Sequence, residues 1–182
     1  MIDYCPFCGL ELKKEICCQD RKTKSNMVDT SIFIEAFDES SISGDCKLIL
    51  DGAKEKLYLG HVSTIILGEI MKKLLKLKRE ADYRYDSIYG GVMKYLMFFR
   101  ILYICEGTID NYTKGIRDEP DSQDKINLAC ARYNEISMFI VKDTKFVPRK
   151  TKPTAVVQIT NKKSNEKLKS ILNKISDKLG IS

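Results

Sequence analysis

The chain has 182 residues and a net charge of +6, with 43% hydrophobic and 31% charged residues, seven cysteines and one histidine. This length suits one domain, or one domain with a small appendage, and can bury a hydrophobic core without disulfides. A single histidine excludes every metal site that needs two. Residues 92–105 are the most apolar stretch, but they are too few to span a bilayer and contain Lys94 and Arg100. We therefore expect a cytoplasmic protein without a membrane span.

The positive charge is concentrated at the C-terminus. Residues 142–182 carry 11 basic and 3 acidic side chains, whereas residues 1–141 carry 20 basic and 22 acidic ones. Such a segment favours contact with nucleic acid, an acidic partner protein or an anionic membrane surface, and a solvated lysine-rich end that binds nothing is equally typical. The candidate contact residues in this segment are Arg149, Lys150, Lys162, Lys163, Lys167, Lys169, Lys174 and Lys178.

A cysteine-rich head occupies residues 1–25, where Cys5 and Cys8 enclose a Pro-Phe pair and are followed by glycine. Two residues between cysteines let both thiolates reach one zinc ion. The segment resembles one half of a zinc ribbon, and this resemblance implies a bound zinc. The expected ligands are Cys5, Cys8, Cys17 and Cys18, with Asp20, Cys46 or His61 as alternatives for the fourth position.

The same Cys-Pro-Phe-Cys run resembles the active-site motif of glutaredoxin-like proteins. Such a redox site needs a strand immediately before the first cysteine. Only four residues precede Cys5, which makes zinc binding the favoured interpretation.

Strands are predicted after the head. Residues 31–37 are rich in isoleucine and phenylalanine and alternate in part. Residues 46–50 and 55–59 flank an Asp51-Gly52 dipeptide, which favours a tight hairpin turn. These three segments predict a short antiparallel β-meander.

Helices are predicted after the meander. Apolar residues recur at helical spacing over residues 62–77, and cations occupy the other face. A second helix is predicted over residues 88–105, and a third begins after Pro120, where the helix dipole explains the nearby Asp124. Residues 154–160 could form one strand.

The predicted fold is α+β, with three segments along the chain. A zinc-ribbon-like knuckle forms the head over residues 1–25, and residues 26–144 form a core of meander and three helices. Residues 145–182 form a basic C-terminal extension that ends in an amphipathic helix. The apolar stripe of that helix could pair two copies or dock on a partner; it consists of Leu168, Ile171, Leu172, Ile175 and Leu179.

No complete catalytic signature is present, so the favoured function is a non-enzymatic zinc-binding protein that contacts nucleic acid as a small regulator. The alternative is an adaptor or inhibitor of the mobile-element or viral type, which docks on a protein. Tyr83, Arg84 and Tyr85 could contact bases or such a partner.

A minor alternative is a Mg²⁺-dependent nuclease. Asp38, followed across the predicted hairpin by Asp45 and Lys47, resembles the metal-binding core of restriction-type nucleases. An ordinary turn with polar ends explains the same pattern.

Overall fold

The computed structural model describes residues 24–115, 122–142 and 154–159, together with residue 173. Within these residues, five strands form a single sheet in the order β3-β2-β1-β4-β5, and every neighbouring pair is parallel. The elements in chain order are β1 (Ser25–Val28), α1 (Thr30–Glu35), α2 (Ser43–Lys54), β2 (Leu59–Ser63), α3 (Thr64–Arg79), α4 (Tyr85–Leu96), β3 (Phe99–Leu102), α5 (Glu106–Gly115), α6 (Ser122–Tyr133), β4 (Met138–Val141) and β5 (Ala155–Gln158).

The strand order reverses at the centre of the sheet. β2 and β3 extend it on one side of β1, and β4 and β5 extend it on the other. The backbone N–H of Asp29, just after β1, donates to the carbonyl oxygen of Ile140 in β4 at 2.9 Å. Segments that leave the carboxyl ends of two such strands diverge, and the crevice between them is where open α/β sheets bind ligands.

The strands are short and buried. β4 is buried along its whole length, and β1 is buried from Asn26 to Val28. A parallel sheet that is covered on both faces does not show the alternation of polar and apolar residues that marks a half-exposed strand. The Ser-Asn-Met-Val sequence of β1 therefore carries no strand signal of its own.

The predicted antiparallel meander is wrong. Residues 31–37 lie mostly in α1, which Asp29 caps by accepting a hydrogen bond from the Ser31 amide. Residues 46–50 lie in α2, and Asp51-Gly52 lies inside that helix rather than at a turn. The side chains that α2 buries repeat at helical spacing, which outweighs the β propensity of isoleucine; they are Cys46, Ile49, Leu50 and Ala53.

The predicted helices agree better with the structure. α3 and α6 occur where the apolar spacing predicts them. The helix predicted over residues 88–105 is interrupted, because α4 ends at Leu96 and Phe99–Leu102 forms β3. An apolar run is compatible with either a buried helix or a buried strand, so its periodicity does not show where the helix ends and the strand begins. The α+β class is thus wrong, and the fold is a parallel α/β sheet with flanking helices.

Within the part of the chain that the structure describes, no helix is long and apolar enough to cross a membrane. The head up to residue 23 lies outside the described residues, as does the predicted C-terminal helix apart from residue 173.

Candidate active site

Four carboxylates line one open cleft at the carboxyl edge of the sheet, and one of them, Glu80, is the C-cap of α3. Asp29 follows β1 directly, Glu69 lies on α3, and Asp124 lies in the first turn of α6. The cleft has a volume of about 1170 Å³. It also contains Lys142, the residue after β4, so it lies where the strand order reverses.

The cap of α1 fixes Asp29. Its Oδ2 accepts hydrogen bonds from the backbone N–H of Ser31 at 3.1 Å and from the Ser31 hydroxyl at 2.5 Å. The backbone of Asp29 is extended, with φ −74° and ψ 157°, as an N-cap residue requires. The helix therefore holds one oxygen of this carboxylate, and the side chain still lines the cleft.

Thr30 fixes Glu69. The Thr30 hydroxyl lies 2.7 Å from Oε2 of Glu69, to which it donates, and 3.3 Å from the carbonyl oxygen of Ile66. Thr30 is buried, so water does not compete strongly for this hydrogen bond. Because Thr30 follows Asp29 in the chain, the two acids share one anchoring segment.

A buried hydrogen bond ties α6 to the start of α3. The Ser63 hydroxyl caps α3 by accepting from the Ile66 amide at 3.0 Å, and it donates to Oδ1 of Asn127 at 2.5 Å. Asn127 lies one helical turn after Asp124 on α6. The helices that carry Glu69 and Asp124 are therefore joined through fully buried polar groups.

Cations line the rest of the cleft. Four of them lie on α3, namely Lys72, Lys73, Lys76 and Arg79. Lys142 is the fifth, and its ammonium contacts the Glu35 carboxylate of α1. Carboxylates beside a cationic wall suit a ligand that carries several negative charges.

The donor atoms in the cleft fit a hard divalent cation. The described lining residues offer carboxylates and include neither cysteine nor histidine. Over residues 24–115, 122–142 and 154–159, no group of three or more His, Cys, Asp or Glu side chains could hold a metal ion. Mg²⁺ does not require such a cage, because one or two carboxylates, waters and substrate phosphates commonly complete its shell. Asp29 and Glu69 are suited to this role.

The sequence matches the PIN domain family model over residues 27–150. The chain belongs to the PIN domain family. Its fold is similar to that of PAE2754 from Pyrobaculum aerophilum, with 12% identity, a TM-score of 0.55, and coverage of 85% of this chain and 98% of that one. No curated protein matches the sequence.

Two further solved structures are similar. VapBC2 from Rickettsia felis, bound to a DNA fragment from their promoter, shares 16% identity and a TM-score of 0.49 over 66% of this chain and 89% of that one. VapC20 from Mycobacterium tuberculosis, a Sarcin-Ricin loop cleaving toxin, shares 16% identity and a TM-score of 0.45 over 63% and 87%.

Membership of the PIN domain family corrects the predicted function. PIN domains are typically Mg²⁺- or Mn²⁺-dependent nucleases, so the zinc-binding regulator and the docking adaptor are both wrong as interpretations. The nuclease alternative is the better one, although the hairpin behind it does not exist. Asp45 and Lys47 lie on α2, and Asp38 is paired with Arg84 at 2.7 Å.

Zinc as the cofactor and the zinc-ribbon fold are also wrong. The family implies Mg²⁺ or Mn²⁺, and the described residues include no group of three or more His, Cys, Asp or Glu side chains that could hold a metal ion such as zinc. Cys46 is buried in α2, where burial raises the pKa of its thiol to about 12. His61 is buried in β2, where burial and then Arg100 lower its pKa to about 4. The other ligand candidates lie outside the described residues: Cys5, Cys8, Cys17, Cys18 and Asp20.

The Tyr83–Tyr85 segment, proposed as a contact surface, does not line the cleft. Arg84 forms ion pairs with Asp82 at 2.6 Å and with Asp38 at 2.7 Å, which join the turn before α4 to the segment that follows α1. Tyr85 stacks on Tyr89, with ring centroids 5.5 Å apart. The C-terminal cations proposed for the same role, from Arg149 to Lys178, lie outside the described residues.

Proposed function

We propose that this PIN domain protein is a Mg²⁺- or Mn²⁺-dependent nuclease. The observation that carries the proposal is the common cleft of Asp29, Glu69 and Asp124 at the point where the strand order reverses. Its family membership supports the same chemistry. On this proposal, the nucleic acid that the protein binds is its substrate.

The residues of the cleft would have different roles in this reaction. Asp29 and Glu69 would hold the cation, which when bound would act as a Lewis acid on the scissile phosphate and lower the pKa of a water nucleophile. Ser31 and Thr30 keep the two carboxylates in place by donating hydrogen bonds to them. Asp124 supplies a further carboxylate from α6, and the cations attract the phosphate backbone.

The test is a cleavage assay with labelled RNA and DNA, each single-stranded and duplex, in Mg²⁺, Mn²⁺ or EDTA. We expect metal-dependent cleavage of at least one substrate. Asp29→Asn and Glu69→Gln should each reduce it by at least about 100-fold, because losing a ligand costs more than losing an outer-shell partner. Asp124→Asn should also reduce it, because it removes a further carboxylate of the cleft.

The matched control is Asp86→Asn, which removes an exposed carboxylate of α4 outside the cleft and should retain activity. Cleavage that persists at the unmodified rate in Asp29→Asn would show that the activity belongs to a contaminant. Absence of cleavage with both metals on all four substrates would also reject the proposal.

A further inference from the structure

Two cysteines come together where the start of α5 packs against α6, and neither of them lines the cleft. Cys105 directly precedes α5 and is partly exposed, whereas Cys130 lies on α6 and is fully buried. The buried Thr108 hydroxyl lies 3.6 Å from the Cys105 sulfur and also forms a hydrogen bond with the Cys130 thiol. A hydroxyl can both donate and accept hydrogen bonds, so Thr108 can bridge the two sulfurs.

Hydrogen-bond donors surround the Cys105 sulfur. The Cys105 carbonyl oxygen accepts from the backbone N–H groups of Thr108 and Ile109 at 3.0 and 3.1 Å, which places Cys105 at the N-terminal cap of α5. Hydrogen bonds from the side chain and the backbone of Thr108, then from the Tyr133 hydroxyl and the Gly107 N–H, lower the pKa of this thiol. The reactive thiolate is therefore favoured at a position that solvent reaches.

Helix capping and core packing do not account for this arrangement. The side chains that cap α1 and α3 carry oxygen, Asp29 and Ser63, and cysteine is not among the preferred N-cap residues. Tyr133 is 49% exposed, so the core does not require its ring beside Cys105. Gly107 makes room for that ring, because a Cβ on residue 107 would overlap it. Both helices thus contribute to the surroundings of one sulfur.

Cys130 is placed to react with Cys105 rather than with dissolved reagents. Burial raises the pKa of its thiol to about 11 and keeps solvent away from it. The Asn134 Nδ2 donates to the Cys130 carbonyl oxygen at 2.8 Å and lies 3.7 Å from the Cys130 sulfur. Thr108 and Asn134 both favour the Cys130 thiolate, in opposition to the effect of burial.

We propose that Cys105 and Cys130 form a peroxide-sensitive thiol pair, in which Cys105 is oxidised first and Cys130 then completes a disulfide. The Cys105 thiolate attacks hydrogen peroxide: an S–O bond forms, the O–O bond breaks, and the departing hydroxide takes up the proton that the thiol released. The Cys130 sulfur then attacks the sulfenic sulfur: the S–S bond forms, the S–O bond breaks, and the hydroxyl group leaves as water with the Cys130 proton. The two sulfurs lose the electron pair that the peroxide gains.

The first experiment maps the disulfides of the reduced full chain after hydrogen peroxide treatment in EDTA at low protein concentration. Trypsin places Cys105 in the peptide of residues 101–114 and Cys130 in that of residues 126–132, and neither peptide contains another cysteine. We expect both peptides in one cross-linked species, about 2 Da lighter than their sum, which dithiothreitol separates. Because the cysteines of the head lie in other peptides, their oxidation does not obscure this result.

The second experiment establishes the order of the two steps. In Cys130→Ala, Cys105 should stop at the sulfenic acid, which dimedone traps on the peptide of residues 101–114. In Cys105→Ser, Cys130 should remain a thiol in the folded protein, because it is fully buried. The matched control is Cys46→Ala, which removes another fully buried cysteine and should leave the cross-link unchanged. Circular dichroism verifies that each variant is folded.

The third experiment tests the hydrogen-bond donors separately from the cysteines. Tyr133→Phe removes one hydroxyl next to the Cys105 sulfur and keeps the ring beside Gly107. Oxidation of Cys105 at neutral pH should slow about fivefold, and its pH profile should move to higher pH, because less thiolate is present. The control is Tyr89→Phe on α4, whose side chain is 40% exposed, and it should change neither the rate nor the profile.

The outcomes decide on the thiol pair without reference to nuclease activity, which none of these measurements reads. Absence of the cross-linked peptides, or a disulfide that joins Cys105 to any cysteine other than Cys130, would overturn the pair. Failure of dimedone to label Cys105 in folded Cys130→Ala would do the same. An unmodified rate and pH profile in Tyr133→Phe would show that the surroundings of the sulfur do not activate it, which would also reject the proposal.

Discussion

The Thr30 hydroxyl donates a hydrogen bond to a carboxylate oxygen of Glu69 at 2.7 Å. Thr30 directly follows Asp29, so the segment that carries one acid of the cleft also positions another. Thr30 is the first residue of α1, and Glu69 lies in the second turn of α3. The hydrogen bond therefore joins two helices as well as two side chains. Disturbing it should affect metal binding more than folding.

Thr30→Val tests this relationship, because valine keeps the shape of threonine and removes the donor. We expect a loss of about 1 kcal/mol in the free energy of unfolding. Nuclease activity should fall by about 10- to 100-fold, with a higher Mg²⁺ concentration needed for half-maximal rate, as for outer-shell partners of metal ligands. Thr30→Ser keeps the hydroxyl and should preserve most activity. Full activity and unmodified Mg²⁺ dependence in Thr30→Val would show that Thr30 serves packing alone.

Replacing each of two adjacent glycines of α4 by alanine should change the free energy of unfolding in opposite directions. A Cβ at Gly90 meets nothing within 4 Å, whereas a Cβ at Gly91 would lie 2.3 Å from a ring carbon of Phe37. Gly90→Ala should stabilise the protein by up to about 1 kcal/mol through helix propensity. Gly91→Ala should destabilise it by about 1–3 kcal/mol, because the ring must move. Urea unfolding measures both, and shifts of the same sign would contradict this packing.

Two of the helices could be predicted because their apolar residues recur at helical spacing. α3 shows an apolar stripe over four turns, which no alternative structure explains, and α6 has the same signature. The predicted strand over residues 154–160 is confirmed as β5. The strands before it were not predicted correctly, since four buried residues such as those of β1 have no period to detect. Asp51-Gly52 wrongly predicts a turn, because a turn dipeptide is also tolerated inside a helix that tertiary packing stabilises.

The acids of the cleft were missed because each has an ordinary local explanation. Asp29 is a helix N-cap, and Asp124 suits the dipole of α6. Glu69 is a polar residue at the margin of the apolar stripe of α3. Their common feature is convergence on one edge of a parallel sheet, which depends on the strand order and is not encoded in local spacing. Recognising β1 immediately before Asp29 would have been the first available signal.

His61 should make stability depend on pH. Burial and Arg100 lower its pKa to about 4, whereas the unfolded chain has the ordinary value near 6.5. Between these values the unfolded state binds the additional proton, so the free energy of unfolding should fall as pH decreases from about 6.5 to 4. This contribution is at most about 3 kcal/mol. His61→Leu should flatten that part of the urea-unfolding profile, and an unaltered slope would show that other groups cause it.

The thiols of the described chain should differ sharply in reactivity. Cys105 precedes α5, its sulfur lies 3.6 Å from the Thr108 hydroxyl, and hydrogen bonding to that side chain lowers its pKa. Burial instead raises the pKa of Cys130 to about 11 and that of Cys46 to about 12. Since the thiolate is the nucleophile, iodoacetamide at pH 7.5 should alkylate Cys105 well before the other two.

Mass spectrometry of native protein quenched at intervals would assign each modified residue. Thr108→Val removes the hydroxyl next to Cys105 with little change in shape, so it should raise the pKa of this thiol and slow its alkylation. In Cys105→Ser, Cys46 and Cys130 should stay unmodified until denaturant opens the core, because both are fully buried. Rapid labelling of Cys130 in the native protein would contradict the packing of α6, and equal rates for Cys105 with and without the Thr108 hydroxyl would contradict the proposed cause.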